Sequence, residues 1–429
     1  MSFRCKFGIV VFSATLALYA VVGGLMSTRA QQQNDPGAQL RIFESVLQHI
    51  QHDYVDEPNL EKVRAGALRG LAYGLDPYST YLTPEQVRNY QAGNGNNQVG
   101  IGAELSQVAS YLYVIAPIKG SPAEQAGVLA GDIIEYIDNK ATRDISLYDA
   151  RQLLNGPPGS EVKLRILRAN SRPLTITVRR AAFKTPAAEA RMEAGRIGIL
   201  RVNSLADNEA ADVQARLQEL LKQGAQKIVL DLRGVANGSL AEAVRVANLF
   251  IRDGVLAQTI GRENRVLKSF TANPQETLFD GPLVALIDRG TAGAAEVVAS
   301  AMLERKRGEV VGEKSFGAGA EQQLFTLRDG DGLLLTTVKW ASAAGKPFLG
   351  AGVSPSVEVK RPELAEAVDP DDLTGNDDDA IVQPRQSNER REAENDTAPG
   401  AGSRPQSEDV QLKKALELLR EKAAPSRSV

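Results

Sequence analysis

The sequence predicts a multidomain α/β protein: an N-terminal helical segment, a small β-rich domain and an α/β core. Three patterns carry that prediction. Apolar residues recur at helical spacing over residues 38–90, short apolar runs between glycine turns fill residues 97–182, and strand-like runs alternate with helical ones over residues 185–360. A chain of 429 residues with 43% hydrophobic and 24% charged residues can bury a core of that size. Its net charge is only −3 and no Lys/Arg stripe is interleaved with aromatics, which argues against a nucleic-acid partner.

Residues 1–30 read as a signal peptide or a membrane anchor. Arg4 and Lys6 precede an uncharged run from Phe7 to Met26 that is rich in Val, Leu and Ala, and Ser27-Thr28-Arg29-Ala30 and three glutamines follow it. The run approaches the length of a membrane-spanning helix, so cleavage after Ala30 and retention as an anchor stay open as alternatives. Either one implies export to a bacterial cell envelope, periplasmic or anchored in the inner membrane and facing the periplasm, with membrane contact only through residues 7–26. The single cysteine, Cys5, lies inside this segment, so the mature part has neither a disulfide nor a thiol nucleophile.

From residue 38, Leu40, Phe43, Val46, Leu47 and Ile50, then Val63, Ala67, Leu68 and Leu71, predict two helices broken at Asp56-Glu57-Pro58. This helical hairpin ends at Leu75-Asp76-Pro77 and is followed by a flexible linker of Gly, Asn, Ala and Gln over residues 91–98. His49 and His52, the only histidines, sit on the first helix with no Cys or carboxylate cluster at metal-ligand spacing. They read as solvated helix residues, and neither a metal nor a cofactor is expected. The core therefore cannot supply a Ser-His-Asp triad from within itself, and acyl transfer there would need a lysine base.

The β-rich domain has apolar strands at residues 111–115, 133–137, 162–167 and 174–178. Its helices lie after Ser121-Pro122, with Ser as N-cap and Pro at the first helical position, and over residues 146–154. The core alternates strands at residues 197–202, 227–232 and 283–288 with helices at 210–223, 240–251 and 295–304, which implies a mostly parallel sheet buried between helices. Sites in such folds gather at the C-terminal ends of strands near helix N-termini. Residues 231–238 and 287–296 are two such junctions. Residues 361–407 are acidic and rich in Pro, Ser and Asn, the pattern of a disordered tail, and their Asp spacing does not match a calcium-binding EF-hand loop. Helical periodicity returns over residues 408–424 through Leu412, Ala415, Leu416 and Leu419.

Val99-Gly100-Ile101-Gly102-Ala103 resembles the carboxylate-binding loop of PDZ domains, and Gly131-Asp132-Ile133-Ile134 resembles a strand entry those domains share, in the order of the circularly permuted form. Successive N–H groups in such a loop hold a C-terminal carboxylate while the next strand accepts an extended peptide. Ile101, Leu105 and Leu147 would then form the side-chain pocket, with peptides or protein C-termini as partners.

With Tyr54-Val55-Asp56, Leu75-Asp76-Pro77, Ala126-Gly127, Leu230-Asp231-Leu232-Arg233, Gly312, Ser315-Phe316-Gly317 and Gly352-Val353-Ser354-Pro355 in order, the stretch from residue 38 to 360 resembles the carboxyl-terminal processing, or tail-specific, serine peptidases. That resemblance implies a helical leader, a PDZ domain and an α/β (ClpP/crotonase-like) peptidase core with a Ser-Lys catalytic pair. The pair is what this chain lacks. The family pattern Gly-Ser-Ala-Ser-Ala-Ser-Glu, whose middle serine is the nucleophile, reads Gly290-Thr291-Ala292-Gly293-Ala294-Ala295-Glu296, and the base block Thr-Phe-Gly-Lys-Gly reads Ser315-Phe316-Gly317-Ala318-Gly319. Glycine has no atom to attack a carbonyl, and alanine accepts no proton.

The resemblance also implies an oxyanion turn, commonly Asp-Leu-Arg-x-Asn-Pro-Gly-Gly. Here Asn237-Gly238 closes that segment, with Asn237 suited to a left-handed backbone. Gln322 matches the glutamine that orients the family's lysine. Thr291 with Lys314 is the obvious displaced pair, offset by two and four residues from the family positions. The sequence is thus read as an exported pseudopeptidase, scaffold or regulator that binds peptides or protein C-termini without cutting them. Its rivals are an active serine-type endopeptidase of the cell envelope and an architectural subunit, as a homo-oligomer or as a hetero-oligomer with an active paralogue.

Overall fold

A computed structural model describes residues 36–93, 99–143, 145–169, 171–206, 208–361 and 408–421. The leader at residues 1–30, most of the linker and the acidic tail at 362–407 lie outside the described residues. The chain starts with α1 (Pro36–Asp53) and α2 (Leu60–Tyr73), with no helix at Asp56-Glu57-Pro58, where the proline disfavours helix in the residue before it. Residues up to Leu68 form one unit and Arg69 onward a second. In the first unit Leu40, Ile42, Phe43, Val46 and Leu47 are exposed. No helix among the described residues is long and apolar enough to cross a membrane.

The helical region does not simply end at Pro77. Residues beyond it form a buried strand, β1 (Thr80–Leu82), and then α3 (Pro84–Gln91), capped by Thr83 and Gln86 in a reciprocal capping box. A three-residue strand buried on both faces has no alternation to reveal it.

The β-rich domain consists of β2 (Ala103–Val108), β3 (Tyr111–Pro117), α4 (Pro122–Gln125), β4 (Ile133–Ile137), β5 (Lys140–Ala141), α5 (Leu147–Leu154), β6 (Glu161–Leu167) and β7 (Leu174–Arg179). Its antiparallel sheet runs β2-β3-β4-β6-β7, with β5 paired to β4, so β2 lies at an edge. Ser121 and Ser146 cap α4 and α5 through their hydroxyls, as the sequence indicates for Ser121. Along β6 the buried Val162, Leu164 and Ile166 alternate with exposed Glu161, Lys163 and Arg165, and the inward set packs on Leu105, Val114, Ile134 and Leu147.

The rest of the second unit continues with β8 (Glu189–Glu193), β9 (Ile197–Arg201), α6 (Glu209–Lys222), β10 (Lys227–Asp231), α7 (Leu240–Asn248), β11 (Val255–Ile260), β12 (Val266–Thr271), β13 (Leu283–Ile287), α8 (Ala294–Glu304), β14 (Glu309–Gly312), β15 (Ala320–Thr326), β16 (Gly332–Ser342), β17 (Val357–Glu358) and α9 (Val410–Glu421). The main sheet has the order β17-β14-β13-β10-β9-β8, parallel except for the edge strand β8. Helices α6, α7 and α8 cover one face, and α9 covers the other by packing Ala415 and Leu419 on Val229, Val284, Leu286 and Val311. A second, antiparallel sheet, β1-β16-β11-β12 with β15 on β16, escapes the sequence reading because its outer strands are half polar: β12 is mostly exposed and β15 only partly buried.

Because α9 supplies the second layer that a parallel sheet needs, Leu419→Ala should cost about 2–5 kcal/mol in chemical denaturation. Lys413→Ala on the exposed side of the helix should stay within about 0.5 kcal/mol.

Candidate functional site

The chain leaves β13 at Ile287 and enters α8 at Ala294 through a loop organised by Asp288. One oxygen of Asp288 accepts the N–H groups of Gly234 (2.9 Å) and Gly290 (3.0 Å) and lies 3.2 Å from the Thr291 hydroxyl. That hydroxyl also accepts the Asp288 N–H (2.9 Å) and lies 3.1 Å from the Leu232 carbonyl, and Thr291 is fully buried. Thr291 holds the loop and is not displayed for attack. Lys314 is exposed, and neither residue lines the cleft described below, so the structure does not assemble them there as a displaced pair.

Gly293 is the N-cap of α8 at φ 54° and ψ −108°, outside the regions open to L side chains. A Cβ built there would meet nothing closer than the Trp340 ring at 3.7 Å. The backbone thus keeps a sharp strand-to-helix elbow, the geometry that displays a nucleophile, at a residue without a side chain. Glu296, one turn on and fully buried, joins this elbow to the segment at Gly317 and Ala318. Its Oε2 accepts the N–H groups of Gly293 (2.7 Å) and Ala318 (2.9 Å), and its Oε1 accepts the Gly317 N–H (2.8 Å) and the Ser315 hydroxyl (2.5 Å). Burial pushes the Glu296 carboxyl up to about 7, against the four donors that favour its charge.

The third wall is the turn after β10. Its left-handed positions are Gly234 (φ 71°) and Gly238 (φ 135°), not Asn237. A Cβ at Gly238 would lie 2.4 Å from the Leu205 carbonyl, so only glycine fits. Asn237 acts instead through its side chain, which donates to Ser204 Oγ at 2.9 Å. The N–H groups of Gly238 and Ala294 meet no acceptor among the described residues. These elements surround a cavity of about 150 Å³ lined by Gly238, Gly293, Ala318, Gln322 and Trp340, and on its other side by Glu104, Leu105 and Arg151 of the β-rich domain. Gln322 is not idle: its amide donates to Thr336 Oγ1 (3.3 Å), whose hydroxyl donates to Asp76 (3.0 Å), the residue that caps the turn at Tyr78 and Ser79.

The β-rich domain packs on these loops directly. Tyr113, Ile115 and Ile133 cluster with Ala292, Ala236, Phe316 and Ala318, and the Tyr113 and Phe316 rings stack with centroids 5.6 Å apart. In the Val99–Ala103 loop the Gly100, Ile101 and Gly102 N–H groups meet no acceptor among the described residues, while the carbonyls of Ile101 and Gly102 are taken by Ala123 and Ile118 and Val99 is bridged to Gly156. Ala103 begins the edge strand β2. Ile101, Leu105 and Leu147 lie together but are buried in the domain core, so the side-chain pocket expected of them is filled by their own packing, and only Leu105 reaches the cavity. The sequence reading carried Glu296 only as the end of a motif block and missed its bonds to Gly293 and Ala318, and it missed Trp340 and Arg151. The one available signal was Trp340, the only tryptophan in the chain.

Residues 196–359 match the family model for peptidase family S41, and residues 113–168 match that for the PDZ domain. The carboxy-terminal-processing protease of Bartonella bacilliformis is 30% identical over 419 residues, covering 96% of this chain and 94% of that protein. The chain belongs to peptidase family S41. The carboxy-terminal processing protease CtpA of Bacillus subtilis is likewise 30% identical, over 84% of this chain and 78% of its own length. Among solved structures the photosystem II D1 C-terminal processing protease superposes with a TM-score of 0.63 at 28% identity, covering 74% of this chain and 86% of that one. The β-rich domain is accordingly the PDZ domain of an S41 chain, and the cavity lies between it and the peptidase-fold core.

Two outcomes follow for this S41 cleft. Gly293→Ser should fold with the hydroxyl beside Trp340, at a strain cost of about 1–3 kcal/mol; denaturation curves followed by Trp340 emission measure both, and an unchanged midpoint would show the elbow to be relaxed. Glu296 titrates near 7 in the folded chain against 4.5 for the ordinary carboxyl, so the folded state holds a proton that the unfolded state releases. Its stabilising contribution is fully present below pH 4.5 and is lost as the pH rises through 7. Stability should therefore fall by about 3 kcal/mol across that window, a slope that Glu296→Gln removes.

Proposed function

We propose that this chain is an exported, PDZ-bearing pseudopeptidase that binds protein C-termini or extended peptides and does not cut them. The observation that carries the reading is the cleft itself: among the described residues lining it there is no Ser, Thr, Cys, Lys or His. Tyr78 is the one hydroxyl there, and burial raises its phenol further from ionisation. Loss of a nucleophile or base removes several orders of magnitude of rate and leaves only binding and backbone contacts. Peptide binding is supported by the three unengaged N–H groups at Gly100, Ile101 and Gly102 and by the edge strand that follows them. Export rests on the charged, then apolar, then small-residue pattern of residues 1–30; cell fractionation with N-terminal sequencing tests it, and a cytoplasmic chain retaining Met1 would refute it.

The deciding experiment offers an unstructured polypeptide with an apolar C-terminus to the natural protein and to the Gly293→Ser/Ala318→Lys double variant. The natural protein should leave it intact, and cleavage by it would overturn the reading. Binding is read by anisotropy of a labelled peptide with either a free or an amidated C-terminus. The amide should bind about tenfold more weakly or worse, and equal binding would remove the carboxylate loop from the account.

A further inference from the structure

Helix α9 is fastened to the core at both ends. At its start Asp409 caps the Leu412 N–H (3.0 Å) and takes both terminal nitrogens of Arg233, at 2.8 and 2.9 Å. The buried Gln411 accepts from Arg233 (3.3 Å) and donates to the Val359 carbonyl (2.8 Å), and at the far end Lys227 donates to the Leu419 carbonyl (2.5 Å). Burial works against the Asp409 charge, yet Arg233 and the Leu412 N–H hold its carboxyl below the usual value. A two-pronged Arg–carboxylate contact fixes orientation as well as distance.

Arg233 is the residue before Gly234, where the cleft turn begins, and its guanidinium also donates to both oxygens of Asp231. Gly234 in turn donates to Asp288, whose second oxygen takes Arg361 at 2.7 Å. The two loops that wall the cleft, residues 234–238 and 288–293, are thus tied from behind to Asp409 and Arg361, both of which come from the C-terminal part of the chain. We propose that Asp409, acting through Arg233, is a positioning residue for the cleft, so that docking of α9 and the conformation of the 234–238 turn are coupled. Asp409 keeps 39% of its side-chain surface, and a cavity of about 340 Å³ flanks its contact with Arg233, so the first turn of α9 can release without unpacking Leu419 from the sheet. The coupling is reciprocal: whatever shifts the cleft turn also shifts α9. It does not depend on whether the cleft binds peptides.

Hydrogen exchange on the full chain tests this without a ligand. Asp409→Asn should accelerate exchange across residues 234–239 about fivefold or more and alter Trp340 emission, while β10 and β13 keep their protection. Asp409→Glu should restore the natural rates, and Lys413→Ala, on the same helix but in an ion pair with the exposed Glu408, should change nothing in the turn. Arg361→Met provides a second route by loosening residues 288–293. Faster exchange confined to α9 with an unchanged turn would overturn the proposal. So would loss of protection spread evenly through β10 and β13, which would reduce Asp409 to general stability.

Discussion

Glu296 accepts three backbone N–H groups and one hydroxyl inside a fully buried site, and the shape of the cleft depends on those four bonds. A buried carboxylate costs several kcal/mol unless its lone pairs are satisfied, so the elbow at Gly293 and the strand entry at Gly317-Ala318 are drawn to the same point. Three of the four donors are main-chain groups. Their presence does not depend on which side chain stands at 293, 317 or 318. The backbone frame around Gly293 and Ala318 is therefore independent of the side chains these positions carry.

The PDZ domain leans on that frame. Its Tyr113, Ile115 and Ile133 pack on Ala292, Phe316 and Ala318, at or close to the two segments that Glu296 joins. Its Glu104, Leu105 and Arg151 form one side of the cavity whose other side is Gly293 and Trp340. Glu104 and Leu105 belong to the edge strand β2, so the start of that strand and the cleft share side chains directly.

Much of this was legible in the chain, for identifiable reasons. The inner core strands at 197–201, 227–231 and 283–287 are largely apolar, the Ser121 cap of α4 is local, and the motif blocks at 290–296 and 315–319 both reach the cleft. What escaped is non-local or depends on backbone angles. The pairing of β1 with β16 joins residues about 250 apart in sequence through only three positions. The oxyanion turn takes its left-handed angles at Gly234 and Gly238, while Asn237 works through its amide. Thr291 looks like a nucleophile in the sequence and is a loop brace in the fold. The clamp of Asp409 on Arg233 spans 176 residues and leaves no trace in local pattern.

The identity of residue 293 bears on function as well as on chemistry. A side chain held at φ 54° and ψ −108° is strained by about 1–3 kcal/mol, a cost that is compensated in an enzyme because the elbow displays its nucleophile. Glycine adopts the same angles with no such cost. Here the Glu296 carboxyl takes the Gly293 N–H and the PDZ domain packs on the neighbouring Ala292, so the elbow is held by a main-chain bond and by a contact that need no side chain at 293.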